Sequence, residues 1–341
     1  MYKDQLIGVV VPAYNEEGFV GEVIDSTPEY VDRIYVIDDR STDGTWGEIQ
    51  RHAAKHNEGA TSEVEREPLT ADGGNHYHQR VVPIKHETNR GVGGTIKTGY
   101  KRALADDIDA VAIMAGDGQM DPDLLDKMLD PVVEGKADYA KGNRLRNQDH
   151  RSGMSSFRFL GNSMLTFLTK IASGYWRMMD PQNGYTVISK NALERINIDD
   201  LYEDYGFANH LLVQLNIRDI RVADVPMPAV YRDEQSWINY STFMPKMSKL
   251  LLFSFFDRLK RKYMIRNFHP LVFFYLFGIL SASLGLLGGT YTAWAWAFTT
   301  LPVFPRGTLS IILFMMGSMF LLFGMLFDLQ TNEDLEVWVY E

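Results

Sequence analysis

The 341-residue chain contains no cysteine, which excludes disulfides, thiolate metal sites and a cysteine nucleophile. Bases are also in deficit: 34 Lys and Arg stand against 44 Asp and Glu, for a net charge of −10. The first 245 residues are more acidic still, at −12. An acidic domain argues against nucleic acid as a partner. The third lack is charge of either sign over two long runs. Pro270 to Pro305 has no charged residue, and Thr308 to Phe327 has none either.

A bilayer core takes roughly 20 apolar residues per helix, so these runs read as two spans joined near Thr299–Gly307. Core helices of a soluble domain are the alternative, but uncharged runs this long are uncommon there. Lys246 to Arg266 carries seven bases (Lys246, Lys249, Arg258, Lys260, Arg261, Lys262 and Arg266) against Asp257 alone. Basic residues beside a span favour the cytoplasmic side. We therefore expect a cell-membrane protein with two spans and a cytoplasmic front domain. The acidic segment from Asp328 to Glu341 should return to that same side. Phe243 to Tyr263 mixes these bases with Phe253, Phe255, Phe256 and Leu259, the composition of an amphipathic helix on an anionic membrane surface. Leu6–Val11 is too short for a signal peptide and leads straight into a folded pattern. The expected organisation is a catalytic domain over 1–240, an amphipathic helix over 241–267, two spans over 268–329 and an acidic tail over 330–341.

Residues 1–145 alternate between strand and helix patterns. Strands are expected at Gln5–Val11, Arg33–Ile37, Arg80–Lys85, Ala110–Met114 and Tyr139–Gly142. Helices are expected near Gly18–Ser26, Thr45–His56, Gly94–Ala105 and Pro122–Val133. Alternation of this kind predicts an α/β, mostly parallel sheet covered by helices. Further on come a helix over Ser155–Lys170, a strand at Thr186–Ser189, a helix over Gly206–Asn216 and a strand at Arg221–Val225. Asn57–Gln79 reads as a surface insertion; its His76 and His78 could bind a metal, but an isolated His-x-His in a polar loop is expected to face solvent.

Ligands of open α/β sheets bind at the carboxyl ends of strands, and the polar motifs fall there. Pro12-Ala13-Tyr14-Asn15-Glu16-Glu17 follows the first strand, although a place in the first turn of a helix would by itself explain the two acids. Asp38-Asp39-Arg40-Ser41-Thr42-Asp43 follows the second; Ser41 or Asp43 suits a helix cap, and two adjacent acids exceed what capping needs. Asn89-Arg90-Gly91-Val92-Gly93-Gly94 resembles an anion-binding glycine turn but lacks the dinucleotide and P-loop spacings. Gly116-Asp117-Gly118-Gln119 follows the fourth strand and offers hard oxygen ligands for a divalent cation. Asp121-Pro122 reads as a helix N-cap with Pro at the first helical position.

Taken in order over about residues 5 to 235, these motifs resemble the family 2 glycosyltransferases of GT-A (Rossmann-like) fold. Among these they are closest to the polyprenyl-phosphate branch typified by dolichyl-phosphate mannose synthase. The resemblance implies that Pro12, Tyr14, Asn15 and Glu16 cradle the nucleoside, with Asp39 beside it. It implies that Asn89, Gly91 and Gly94 shape the nucleotide pocket, and that Gly116 and Asp117 lie on the metal-bearing loop. Asp117 matches the second acid of the family's Asp-x-Asp pattern, while Ala115 replaces the first. The metal shell for Mg²⁺ or Mn²⁺ is then Asp117, Gln119, diphosphate oxygens and water. Arg144 of Gly142-Asn143-Arg144 and Arg158 match the positions that hold the acceptor phosphate, Arg232 falls in a late basic motif as a candidate for the diphosphate or the acceptor phosphate, and Asp180-Pro181-Gln182-Asn183-Gly184 lies on the acceptor side. The Gly206-Phe207 motif is followed by Asn209 and His210 where acids usually stand, so no catalytic base is assigned.

A phosphate monoester, with its second pKa near 6, is already mostly dianionic at neutral pH and needs positioning more than a base. The expected function is therefore metal-dependent, inverting transfer of one sugar from a UDP- or GDP-sugar to a polyprenyl (dolichyl-type) phosphate in a membrane. The alternatives are extension of a lipid-linked glycan, processive polysaccharide synthesis, for which the Gln-x-x-Arg-Trp motif is missing, and an inactive scaffold.

Overall fold

The apolar run after Gln5 becomes β1 (Ile7–Ala13), whose side chains alternate between two cores. Ile7, Val9, Val11 and Ala13 enter one core, while Val10 joins Leu6 in the other. β2 (Arg33–Asp38) divides the same way, with Ile34 and Val36 against Tyr35 and Ile37. A strand buried on both faces reads as an unbroken apolar run, the pattern of a helix-covered parallel sheet. The computed structural model describes residues 1–58, 79–145, 156–228 and 240–339, the side chains of 156–160, 162 and 240–242 excepted.

Eight described strands form one sheet in the order β3-β2-β1-β4-β6-β5-β7-β8. The others are β3 (Val81–Lys85), β4 (Ala110–Ile113), β5 (Tyr139–Asn143), β6 (Thr186–Ser189), β7 (Val222–Pro226) and β8 (Glu336–Trp338). β6 runs antiparallel to both neighbours, and the remaining pairs are parallel. The helices α1 (Val20–Ser26), α2 (Thr45–His56), α3 (Gly91–Ala105) and α4 (Leu125–Val133) lie between the early strands. α5 (Ser156–Ser173), α6 (Lys190–Arg195), α7 (Phe207–Ile217) and α8 (Tyr240–Arg258) follow. Pro12 does not end the first ladder as its missing N–H would predict. It pairs opposite Ile37, and its carbonyl accepts from Gly116 N at 3.0 Å.

α9 (Leu271–Phe298) and α10 (Phe304–Asn332) pack against each other as a hairpin. Their 28 and 29 residues rise about 42 and 44 Å at the usual helical rise, more than a hydrocarbon core of roughly 30 Å. Both are apolar enough to cross a membrane and mostly exposed. Small residues set the close approach: a Cβ at Gly285 would overlap Phe314 N, and one at Gly317 would overlap Ala282 N.

Two expectations need correction. The terminal segment is not a bare acidic tail, because Glu336, Val337 and Trp338 pair in parallel with Val222, Ala223 and Asp224. Nor is the basic stretch one helix with all its bases on a membrane face. α8 gives way to a π-helical turn over Leu259–Arg266, and Arg258 and Lys262 are buried at 0% and 1% exposure. The reason is α10, whose C-terminal end brings Asp328 and Asn332 against them. The Arg258 guanidinium holds Asp328 with two bonds of 2.8 Å and donates to the carbonyls of Ala172 and Ile171 at the end of α5. Lys262 donates to Asn216 and Asn332, and burial pushes its pKa down to about 8. Lys246, Lys249, Lys260 and Arg261 remain exposed beside Leu252, Phe253 and Phe256.

Removing one partner of a buried pair leaves an uncompensated charge. Asp328→Ala should therefore lower stability by about 3–5 kcal/mol, read as a reduced unfolding midpoint in detergent. Replacing both partners, Arg258→Met with Asp328→Leu, should recover most of that loss.

Candidate active site

Because β1, β2 and β4 are parallel, their carboxyl ends meet at one edge of the sheet, and the loops that follow them are joined there. Asn15, at φ 56°, bonds across to the loop after β2: its N–H donates to Ser41 Oγ at 2.9 Å, and its Oδ1 accepts from Thr42 N at 2.9 Å. Glu16 N donates to Thr45 Oγ1, and the Glu17 carboxylate accepts from Gly44 N. Glu48 of α2 accepts from Gly18 N and Gly21 N. Asn15 and Glu17 thus fasten the two loops together, while Tyr14 stands 48% exposed at the lip.

Asp39 is 2% exposed and has no oxygen without a donor. Oδ1 meets His86 Nδ1 at 2.7 Å and Arg90 N at 2.9 Å, and Oδ2 meets Gly91 N at 2.7 Å. A helix N-terminus attracts an anion through its unpaired N–H groups and its dipole; at α3 that anion is the protein's own carboxylate. The glycine run serves close approach as well. A Cβ at Gly93 would overlap the Tyr202 carbonyl, and Gly94 N donates to Glu203 O at 3.1 Å. Lys97 and Arg90 both reach the Glu203 carboxylate. Asn89, Gly91 and Gly94 form a wall built by Asp39 and the 202–204 segment, with their N–H groups at 91 and 94 already engaged.

Gly116 lies against the end of β1, where a Cβ would sit 3.1 Å from Pro12 O. Asp117 is half-buried, and its Oδ1 accepts from Gln119 N at 3.0 Å across a turn in which Gly118 has φ 68°. Asp121 caps the following turn by accepting from Asp123 N. Among the described residues no group of three His, Asp or Glu converges to hold a metal. A cation at Asp117 must draw most of its shell from Gln119, substrate oxygens and water. That suits Mg²⁺, which keeps waters and takes one or two carboxylates beside phosphates.

Beyond the antiparallel β6, β5 runs parallel to β4, and Arg144, directly after its carboxyl end, is gripped by Asp180. Nε and Nη2 donate to the two carboxylate oxygens at 2.7 and 3.1 Å, and Arg144 N adds a third bond at 3.2 Å. Asp180 itself has φ 47° and is 5% exposed. The side chain of Arg158 and the whole of Arg232 lie outside the described residues, as do His76 and His78. His210 accepts from Tyr202 N at 3.3 Å, and burial lowers its pKa. Asn209 donates to Thr169. Both side chains hold neighbouring structure in place.

Beneath Arg144 lie two charged groups that sequence reasoning did not use. Lys141 is fully buried and donates to the Asn183 carbonyl; burial pushes its pKa down to about 8. Asp224 accepts from Asn143 Nδ2 at 2.6 Å, and burial pushes its carboxyl up to about 7. A signal for both was present, since each is a charged residue inside an expected buried strand.

If Asp39 holds the α3 wall, Asp39→Asn should open it, because an amide NH₂ must then face an N–H donor. We expect nucleotide affinity, measured calorimetrically, and thermal stability to fall together. Gly93→Ala should do the same through steric overlap, at a cost of about 1–3 kcal/mol.

Comparison with known proteins matches the family model "Glycosyl transferase family 2" to residues 8–196. The chain is 28% identical over 259 residues, 73% of its length and 99% of the relative's, to a UDP-N-acetylglucosamine–dolichyl-phosphate N-acetylglucosaminyltransferase of Methanococcus voltae. It is 25% identical over 325 residues, 94% of its length and 92% of the relative's, to the glycosyltransferase AglJ of Haloferax volcanii. Among solved structures, it resembles glucosyl-3-phosphoglycerate synthase of Mycobacterium tuberculosis in complex with UDP, at 20% identity and a TM-score of 0.49, covering 75% of this chain and 80% of that one. With more than half of its length matched by the family model, the chain belongs to glycosyl transferase family 2 and is a glycosyltransferase.

Proposed function

We propose that this enzyme moves one sugar, with inversion, from a UDP- or GDP-sugar to the phosphate of a polyprenyl (dolichyl-type) carrier at a membrane. The observation that carries the reading is the attachment of the apolar hairpin to the catalytic domain at both ends. α8 and its π-helical turn lead into α9, and the chain leaving α10 returns as β8 to the edge of the catalytic sheet. A hairpin so tied enters and leaves the bilayer on one side, with the catalytic domain held at that surface. A carrier-lipid phosphate cannot rise far from the interface, because withdrawing its chain costs about 0.8 kcal/mol per CH₂. The Methanococcus voltae relative, named for a nucleotide-sugar donor and a dolichyl-phosphate acceptor, supports the same reading.

In this reading an acceptor phosphate oxygen attacks the anomeric carbon as the bond to the nucleotide diphosphate breaks on the opposite face. The dianionic phosphate needs no base, so the protein's part is to position and screen charge. Tyr14 and the joined 12–18 and 39–45 loops hold the nucleoside, and Arg144, aimed by Asp180, meets the acceptor phosphate. Asp117, with Gln119, would hold Mg²⁺ or Mn²⁺, and a cation bound there would supply charge stabilisation for the leaving diphosphate.

Purified protein incubated with a panel of UDP- and GDP-sugars and polyprenyl phosphate should yield one glycosyl-phosphate lipid by mass spectrometry. Asp117→Ala should reduce its rate about a hundredfold or more. Full transfer by that variant, or transfer only to lipid-linked glycans, would replace the reading.

Topology is directly testable because the chain has no native cysteine. With the catalytic domain cytoplasmic, an impermeant maleimide should label Thr300→Cys in intact cells and Lys260→Cys only after lysis. The reverse pattern would invert the orientation.

A further inference from the structure

The five residues Trp176–Asp180 connect the end of the hairpin to the arginine at the acceptor side. Three consecutive N–H groups converge on one carboxylate: Trp176 N donates to Glu336 Oε1 at 2.9 Å, and Arg177 N and Met178 N donate to Oε2 at 2.7 and 2.9 Å. Successive backbone donors of this kind form a nest that ordinarily takes an anionic ligand; here Glu336 of β8 fills it. Trp176 Nε1 donates to Asp328 at 3.2 Å, and Arg177 pairs with Glu333. Met179 N donates to Asp224 of β7, the strand beside β8. The last residue, Asp180, takes a left-handed backbone conformation at φ 47° and grips the Arg144 fork.

Asp328, Glu333 and Glu336 all follow the second apolar helix or form its last turns, so one short stretch of chain grips the front half of the segment from the membrane side. A non-glycine residue in the left-handed region persists only where its surroundings over-determine it. The clamps on residues 176–179 supply that constraint and fix where the Asp180 carboxylate points. We propose that Glu336 and Asp328 are positioning residues for the acceptor phosphate, holding Trp176–Asp180 so that Asp180 aims Arg144. The inference rests on the reading of Arg144 as the residue that meets that phosphate. It also gives the hairpin a second task besides anchoring: its exit sets the geometry of the acceptor site.

The test is a double-mutant cycle on the full-length protein in lipid nanodiscs, using Glu336→Ala, Asp180→Ala and the pair, with Arg144→Lys run alongside. KM and kcat for polyprenyl phosphate are read against UDP or GDP affinity by calorimetry. Glu336→Ala should raise the acceptor KM about tenfold and leave nucleotide affinity within about twofold. It should add nothing further in the Asp180→Ala background. Glu336→Gln keeps one acceptor oxygen and should fall between, and it carries the test if the alanine variant does not fold. Additive effects in the cycle, or an equal loss of nucleotide affinity, would show that Glu336 serves only the sheet edge and would overturn the inference. An unchanged acceptor KM in Arg144→Lys would instead overturn the role given to Arg144, and the inference with it.

Discussion

The buried Arg258–Asp328 pair is the constraint on which the relation between hairpin and catalytic domain depends. A guanidinium can be taken out of water only if its donors are satisfied. Arg258 meets that demand with two carbonyls from α5, both oxygens of Asp328 from α10 and the Tyr263 hydroxyl. Asp328 in turn takes Tyr263, Asn332 and the Trp176 indole. Four separate parts of the chain are thereby held in one place. The apolar contacts around them, from Leu165 and Val213 through Leu251 and Phe255 to Tyr275, are non-directional and would tolerate sliding. The ion pair with its forked geometry does not.

The same device recurs where the site is built. Asp39 closes the start of α3, Glu48 takes two N–H groups after β1, and Glu336 fills the nest at Trp176–Met178. Much of the chain's acidity is spent on binding its own backbone donors, which a composition count cannot distinguish from acidity that faces solvent or metal. Asp117 differs in reach: it is half-buried, and its bond to Gln119 N stays within its own turn, at the sheet edge where the loops after β1 and β2 meet.

Much of the fold was legible because local rules and tertiary demands agree. Thr45–His56 and Thr186–Ser189 form as the pattern predicts, and the first strand departs from it by two residues because Pro12 keeps a carbonyl the ladder can use. Asp121-Pro122 caps as expected, since a cap needs only its own next residues. Asp39 was legible as an acid at a strand end, but its three close donors come from residues 47 to 52 positions away. Likewise Arg144 was readable as a strand-end arginine, whereas its grip by Asp180 depends on a loop 36 residues further on.

The sequence by itself determined the parallel α/β sheet, the edge at which the motif loops gather, and the two apolar helices. Each of these follows from side-chain periodicity and run length, which are properties of neighbours in the chain. Only the tertiary structure decided that Arg258 and Lys262 turn inward, that Glu336–Trp338 extends the sheet, and that the hairpin's exit grips the Trp176–Met178 segment. Those outcomes join residues as many as 160 positions apart. A lysine or glutamate reads the same in sequence whether it meets water or a buried partner, and the choice is made by what the fold brings within about 3 Å of it.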